Sequence, residues 1–131
     1  MKMELPVQPP EWIKESWEGQ FTVFPWYYFA VDIPTPVFII TTLKENGLAN
    51  AQLSTWGMIA GSGKEPKFIL MVHNYTETKK LIEETGEFVV NFPGIDLKDK
   101  FMKTIARFDD NTDEILASGF QHEASQRINT P

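Results

Sequence analysis

Side chains that usually perform chemistry are sparse in this 131-residue chain. It has no cysteine and only two histidines, His73 and His122. That excludes disulfides, thiolate zinc sites, iron–sulfur clusters and thiol redox chemistry. Neither histidine sits in a His-x-x-x-His or Glu-x-x-His pattern, so no metal site is expected. There is no Gly-x-Ser-x-Gly elbow. Gly61-Ser62-Gly63-Lys64-Glu65 imitates a P-loop, but Met58 and Glu65 stand where a glycine and a hydroxyl are needed, and it reads as a surface turn. Residues 109–114, DDNTDE, imitate the opening of a calcium loop. Glu114 replaces the glycine and Phe120 the bidentate glutamate, so a solvated acidic linker is expected. No residue stands out as catalytic. An enzyme so poor in reactive side chains would take its reactive atoms from a bound organic cofactor.

Three segments can supply a binding site. Asn50, Ala51, Gln52, Leu53, Ser54, Thr55 and Trp56 offer amides and hydroxyls beside a large aromatic ring. Residues 73–79 lie where a strand meets a helix start, whose unpaired N–H groups favour an anion; Thr76, Thr78 and Lys79 add donors there, with His73 and Asn74 beside them. Asn91 is the third, a polar residue within the apolar run FVVNF. Each has a purely structural alternative. Thr76 or Asn74 can simply cap the helix, Asn91 can bond a neighbouring backbone, and Trp56 can be core. Brought together, the three describe a pocket for a planar polar ring carrying a phosphate. Flavin mononucleotide (FMN) meets that description, as do other phosphorylated ligands.

The elements that must position these groups follow from the pattern. Residues 37–43, VFIITTL, are rich in β-branched side chains and predict a strand. Asn46-Gly47 suits a tight hairpin, returning through residues 48–55 as an antiparallel strand. Residues 57–66 read as loop and 68–72, FILMV, as a short buried strand. A helix follows on ETKKLIEET, capped by Asn74 or Thr76 and stopped by Gly86. Residues 88–92 give another strand. A second helix is expected over 97–107, capped by Asp96, with Leu97, Phe101, Met102, Ile105 and Phe108 on one apolar face. Strands lead and connections are short, so the expected class is mainly β with peripheral helices, an antiparallel barrel or sheet rather than a doubly wound one.

Before this domain lies an arm, residues 1–33. Trp12, Ile13 and Trp17 can share one side of a helical turn, and residues 21–29, FTVFPWYYF, can form an edge strand broken by Pro25 or a flap over a pocket. A net charge of −6 disfavours nonspecific nucleic-acid binding. Prolines 6, 9 and 10 break up the N-terminal segment, and no apolar run approaches a membrane span, so neither a secretory signal nor a membrane partner is expected. A cysteine-free chain fits a reducing, cytoplasmic setting.

The runs PTPVFIITT, ENGLANAQLSTWG and KFILMVHNYTETKKLIEETGEFVVNFP resemble the flavin reductase-like family, the FMN-binding split barrels, and especially its flavoredoxin-like branch. The resemblance covers residues 34–131. It implies a split β-barrel and a homodimer binding FMN noncovalently near the subunit interface. Residues 50–56 would hold the ring and ribityl chain, and Thr76 and Thr78 the phosphate. The implied activity is an NAD(P)H:flavin oxidoreductase, with electrons passing through the flavin. The chain departs from the family at Leu53, where a hydroxyl is frequent, at His73, where an arginine is, and at Leu81, where an asparagine is. Family members continue past Pro131, so the domain is expected to be incomplete at its C-terminal end. Two other functions fit the same residues: an FMN-binding electron carrier that does not react with NAD(P)H, and a noncatalytic dimerisation or ligand-binding module on the same barrel.

Overall fold

A computed structural model of the protein describes residues 6–31 and 34–131. The chain divides into two compact units, Met1–Pro34 and Thr35–Pro131. In the first, helices α1 (Gln20–Val23) and α2 (Trp26–Val31) replace the strand expected over 21–29. Local bonds outweigh the aromatic β-propensity. The Glu15 carboxylate accepts the N–H groups of Gly19 and Phe21, at 3.1 and 2.8 Å. Pro25 has the φ suited to a helix start, and its carbonyl accepts from Tyr28 N–H. Trp26 is buried and donates its indole N–H to the Pro6 carbonyl at 3.0 Å. Trp12 and Trp17 lie outside these helices, and both are exposed. The remainder of the arm, residues 1–5 and 32–33, lies outside the described residues.

In the second unit, strand β1 (Phe38–Leu43) pairs antiparallel with β2 (Ala49–Ser54) and, on its other side, with β5 (Val89–Asn91). The β-branched run is thus the central strand, nearly all of it buried. The turn back to β2 spans residues 44–48, longer than a two-residue hairpin. Gly47 has positive φ (82°) there, and Asn46 Oδ1 accepts from Leu48 N–H. Strand β2, ANAQLS, has poor β-propensity; its small Ala49 and Ala51 let Phe101 and Ile115 pack close.

Alternation divides the sheet into two faces. Ile39, Ala49, Ala51 and Leu53 share one face with Phe101, Ile115 and Phe120. Phe38, Ile40, Thr42 and Asn50 share the other, against which helix α3 (Glu77–Thr85) packs. As expected, α3 is capped by Thr76 and ends at Gly86.

Strands β3 (Gly57–Gly61) and β4 (Pro66–Leu70) form a separate two-stranded sheet, so part of the 57–66 loop expected from sequence is a strand. Gly61-Ser62-Gly63 is its turn, held by reciprocal bonds between Ser62 and Glu65. Gly57 brings the sheet entry against an aromatic cluster of Phe38, Phe68 and Phe92; a Cβ there would lie 2.6 Å from the Phe38 ring. Among the described residues the strands form these two sheets and no closed barrel.

The second helix expected from sequence is broken into a 3₁₀ turn (Ile95–Leu97), α4 (Lys98–Phe101) and a second 3₁₀ turn (Met102–Ile105). Asp96 sits inside the first turn and caps nothing. Met102 and Ile105 are exposed, which removes the apolar stripe. The buried residues are Phe101 and Thr104, three apart, the spacing of a 3₁₀ turn. A further helix, α5 (Glu114–Ala117), occupies part of the expected acidic linker.

Candidate functional site

Strand β2 is an edge strand, and a groove of about 490 Å³ runs along its free side. Asn50, Ala51, Gln52 and Leu53 line it from the strand. Tyr75, Thr76, Glu77 and Thr78 line it from the start of α3, and residues 104–108 from the segment after α4. Two of the three sequence-predicted segments therefore meet.

The edge is stabilised by the acidic segment that sequence analysis assigns to solvent. In an antiparallel pair, alternate residues turn both N–H and C=O outward. Ala49 N–H is taken by Asp113 Oδ2 at 3.3 Å, and Ala51 N–H by Glu114 Oε2 at 3.0 Å. Leu53, two residues on, turns its backbone to the same free edge. Asp113 also caps α5 through Leu116 N–H and holds His122 Nε2 at 2.8 Å. Burial raises the Asp113 pKa, but the N–H groups of Leu116 and Ala49 and the His122 ring outweigh it and hold the carboxyl below the usual carboxylate range. Glu114 Oε1 forms an ion pair with Lys44 Nζ at 3.0 Å, with side chains 10% and 7% exposed. Lys44 spends its other protons on the Thr112 and Asp109 carbonyls. A linker cannot be distinguished from such a brace by composition alone. The separation of Lys44 from Glu114 by 70 positions hides the pairing from any local pattern.

Deeper in the groove, Asn50 Nδ2 donates to both Thr42 Oγ1 and Thr78 Oγ1 at 2.9 Å. Asn50 is 4% and Thr78 1% exposed. The Thr76 hydroxyl oxygen caps the helix by accepting Lys79 N–H, and its proton is spent on the His73 carbonyl. The backbone N–H groups of Glu77 and Thr78 have no partner among the described residues, as the first turn of a helix leaves them. Sequence reading missed Arg107, which lines the same groove. Its guanidinium has no ion pair or hydrogen bond among the described residues. The segment after α4 reads as part of an amphipathic helix and offered no signal for it except the rarity of arginine, since the chain has only Arg107 and Arg127.

The other candidates lie elsewhere. Ser54 accepts Trp56 N–H, and the Trp56 carbonyl joins the β3–β4 ladder through Met71 N–H. The Trp56 ring lies against His73, which stacks on Tyr75, and His73 Nε2 is buried with no partner. None of Ser54, Thr55, Trp56, His73, Asn74 and Lys79 lines the groove. Lys79 Nζ turns back along the helix to Glu83 at 2.6 Å. Asn91 is on β5, separated from β2 by β1, and bonds the Thr41 hydroxyl rather than a backbone. It lines a smaller cavity of about 180 Å³, with Thr41, His122 and Pro131. No cluster able to hold a metal is found among the described residues, and none of their helices is long and apolar enough to cross a membrane.

Known proteins share this architecture. Flavoredoxin of Desulfovibrio vulgaris (Miyazaki F) superposes with a TM-score of 0.67 at 20% identity, over 75% of this chain and 53% of that one. The 2-nitrobenzoate 2-nitroreductase NbaA of Pseudomonas fluorescens superposes with a TM-score of 0.68 at 25% identity, over 80% and 52%. An uncharacterized protein of Methanothermobacter thermautotrophicus is 25% identical over 100 residues, 76% of this chain and 46% of its own length. The chain thus spans about half the length of each of these proteins. The family model described as the flavin reductase like domain matches residues 30–131, most of the sequence, and the chain therefore belongs to the flavin reductase-like family.

Proposed function

We propose that this chain is the flavin-binding part of an oxidoreductase that moves electrons through noncovalently held FMN, supplied by NAD(P)H. The observation that carries the reading is the groove along β2, which gathers Asn50, Ala51, Gln52 and Leu53 with Thr76 and Thr78. The residues present fit the group. Unpartnered N–H groups of Glu77 and Thr78 suit an anionic phosphate. The backbone edge at Leu53 offers a donor and an acceptor to a polar ring, and Tyr75, Ile105 and Phe108 supply apolar surface. The groove volume falls within the ~300–1,000 Å³ usual for small-molecule sites.

Bound FMN would supply the hydride- and electron-accepting ring that the side chains cannot. The chain's part is to bind and orient. Thr76 fixes the start of α3, Asn50 ties that start to β2, and Asp113 and Glu114 hold the β2 edge in place.

A homodimer is part of the same reading. By alternation Met58, Ile69 and Met71 fall on one face of the β3–β4 hairpin, and all three are more than half exposed. Such an apolar patch suits a second copy of the chain. A cytoplasmic setting rests on the cysteine-free composition. Anaerobic mixing of the FMN-loaded protein with NADH or NADPH tests the reaction. Bleaching of the flavin band is expected. A flavin that binds but is not bleached by either nucleotide would make the protein an electron carrier instead.

A further inference from the structure

We propose that Arg107 is the specificity residue of the groove, selecting a phosphorylated over a non-phosphorylated flavin. The inference rests on the reading of the groove as a flavin site and adds what that reading lacks, a fixed positive charge. His73, which stands where an arginine is frequent in the family, is packed between Trp56 and Tyr75 and does not line the groove. The Thr76 hydroxyl has given its proton to the His73 carbonyl. Lys79 is paired with Glu83, and Lys44 with Glu114. Arg107 is the cation on the groove left without a partner among the described residues. A guanidinium stays charged at every physiological pH and binds phosphate through two parallel N–H bonds.

The buried part of the site points independently to an acceptor-rich ligand. Thr42, Asn50 and Thr78 carry four donor protons between them: two on the amide and one on each hydroxyl. Two are used inside the trio. Turning the Asn50 amide over exchanges which two are used but leaves two unspent. Thr42, Asn50 and Thr78 are each at least nine-tenths buried, and Asn50 and Thr78 line the groove. Buried donors of this kind are normally paired, and an oxygen of a phosphate ester or its sugar chain would pair the one on Thr78 or Asn50, the two members of the trio that line the groove. Three acids, Glu77, Asp110 and Glu114, line the groove with Arg107. Glu77 is bonded to Lys80 and Glu114 to Lys44, which leaves the Asp110 carboxylate as the competitor.

The test compares FMN with riboflavin, which differ only in the phosphate. Both are titrated by fluorescence quenching into the unaltered protein, Arg107→Gln, Arg107→Lys and, as a control outside the groove, Arg127→Gln. Arg107 is exposed and bonded to nothing described, so its variants should fold; circular dichroism checks this. Arg107→Gln is expected to weaken FMN roughly tenfold and leave riboflavin unchanged, as loss of a charge-assisted bond predicts. Arg107→Lys should recover part of the loss, and Arg127→Gln should behave as the unaltered protein. Raising the salt should narrow the FMN-to-riboflavin ratio in the unaltered protein but not in Arg107→Gln. Unchanged FMN affinity in folded Arg107→Gln, or an equal fall for both ligands, overturns the assignment while leaving the flavin site standing. If the unaltered protein binds neither ligand, the flavin reading itself fails, and this inference with it.

Discussion

Replacing Glu114 with leucine should be among the most damaging single changes in the Thr35–Pro131 unit. The glutamate does two things at once: Oε1 pairs with Lys44 at 3.0 Å and Oε2 accepts Ala51 N–H at 3.0 Å. With both side chains about nine-tenths buried, removing one partner strands an ammonium, at a cost of about 3–5 kcal/mol. The orphaned Ala51 N–H adds about 1 kcal/mol or more. The two overlap, because Lys44 keeps the Thr112 and Asp109 carbonyls, so the expected total is about 4 kcal/mol. Lys44→Met strands the carboxylate but spares the Ala51 bond, and should cost about 3 kcal/mol. The double variant Lys44→Met/Glu114→Leu buries no charge. It should be more stable than the sum of the singles by about 2 kcal/mol. Urea unfolding at pH 7, followed by circular dichroism and tryptophan fluorescence, reads all three. If Glu114→Leu does not fold, Glu114→Gln gives a milder form of the same cycle. A cost below about 1 kcal/mol for Glu114→Leu, or strict additivity, would refute the claim that this pair braces the groove.

Other outcomes follow from single contacts. Asp113→Asn keeps the cap but loses the charge and an oxygen shared by Ala49 N–H and His122, and should lower stability at pH 7 by about 1 kcal/mol. The native Asp113 pKa is depressed, so its contribution is present above the unfolded value near pH 4 and is lost as the pH falls through the native value; the gap between variant and parent in urea midpoint should close in acid. Thr78→Val keeps the shape but leaves Asn50 Nδ2 one acceptor short, for a loss of about 1–3 kcal/mol in thermal or urea unfolding. Thr78→Ser should recover most of it. Gly57→Ala forces a methyl to within 3 Å of two phenyl rings and should cost about 1–3 kcal/mol, measured the same way.

What could be read from the sequence was mostly local. The β-branched run of β1 and the Thr76 and Gly86 signals around α3 each act within a few residues, and each stands where its pattern placed it. The pairing of β1 with β2 follows from the turn between them. Failures came where particular contacts, some local and some distant, override composition. Residues 21–29 look like a strand by composition, yet Glu15 and Pro25 make them helical. Residues 97–107 have helical spacing, but only Phe101 and Thr104 are buried. The acidic segment looked solvated because its partners, Lys44 and the N–H groups of β2, are more than 60 positions away. At the site, residue types were legible and directions were not. Thr76 and Thr78 line the groove, but their hydroxyls bond within the protein, while Arg107 had no motif to announce it.

The most direct test of the groove is a flavin titration of the purified chain. FMN should bind with quenching of its fluorescence and a shift of its visible band, and Asn50→Leu, which removes the amide tying β2 to α3, should weaken it at least tenfold while the fold survives. FMN fluorescence and absorbance that stay those of free flavin at protein concentrations up to the millimolar range would contradict the account.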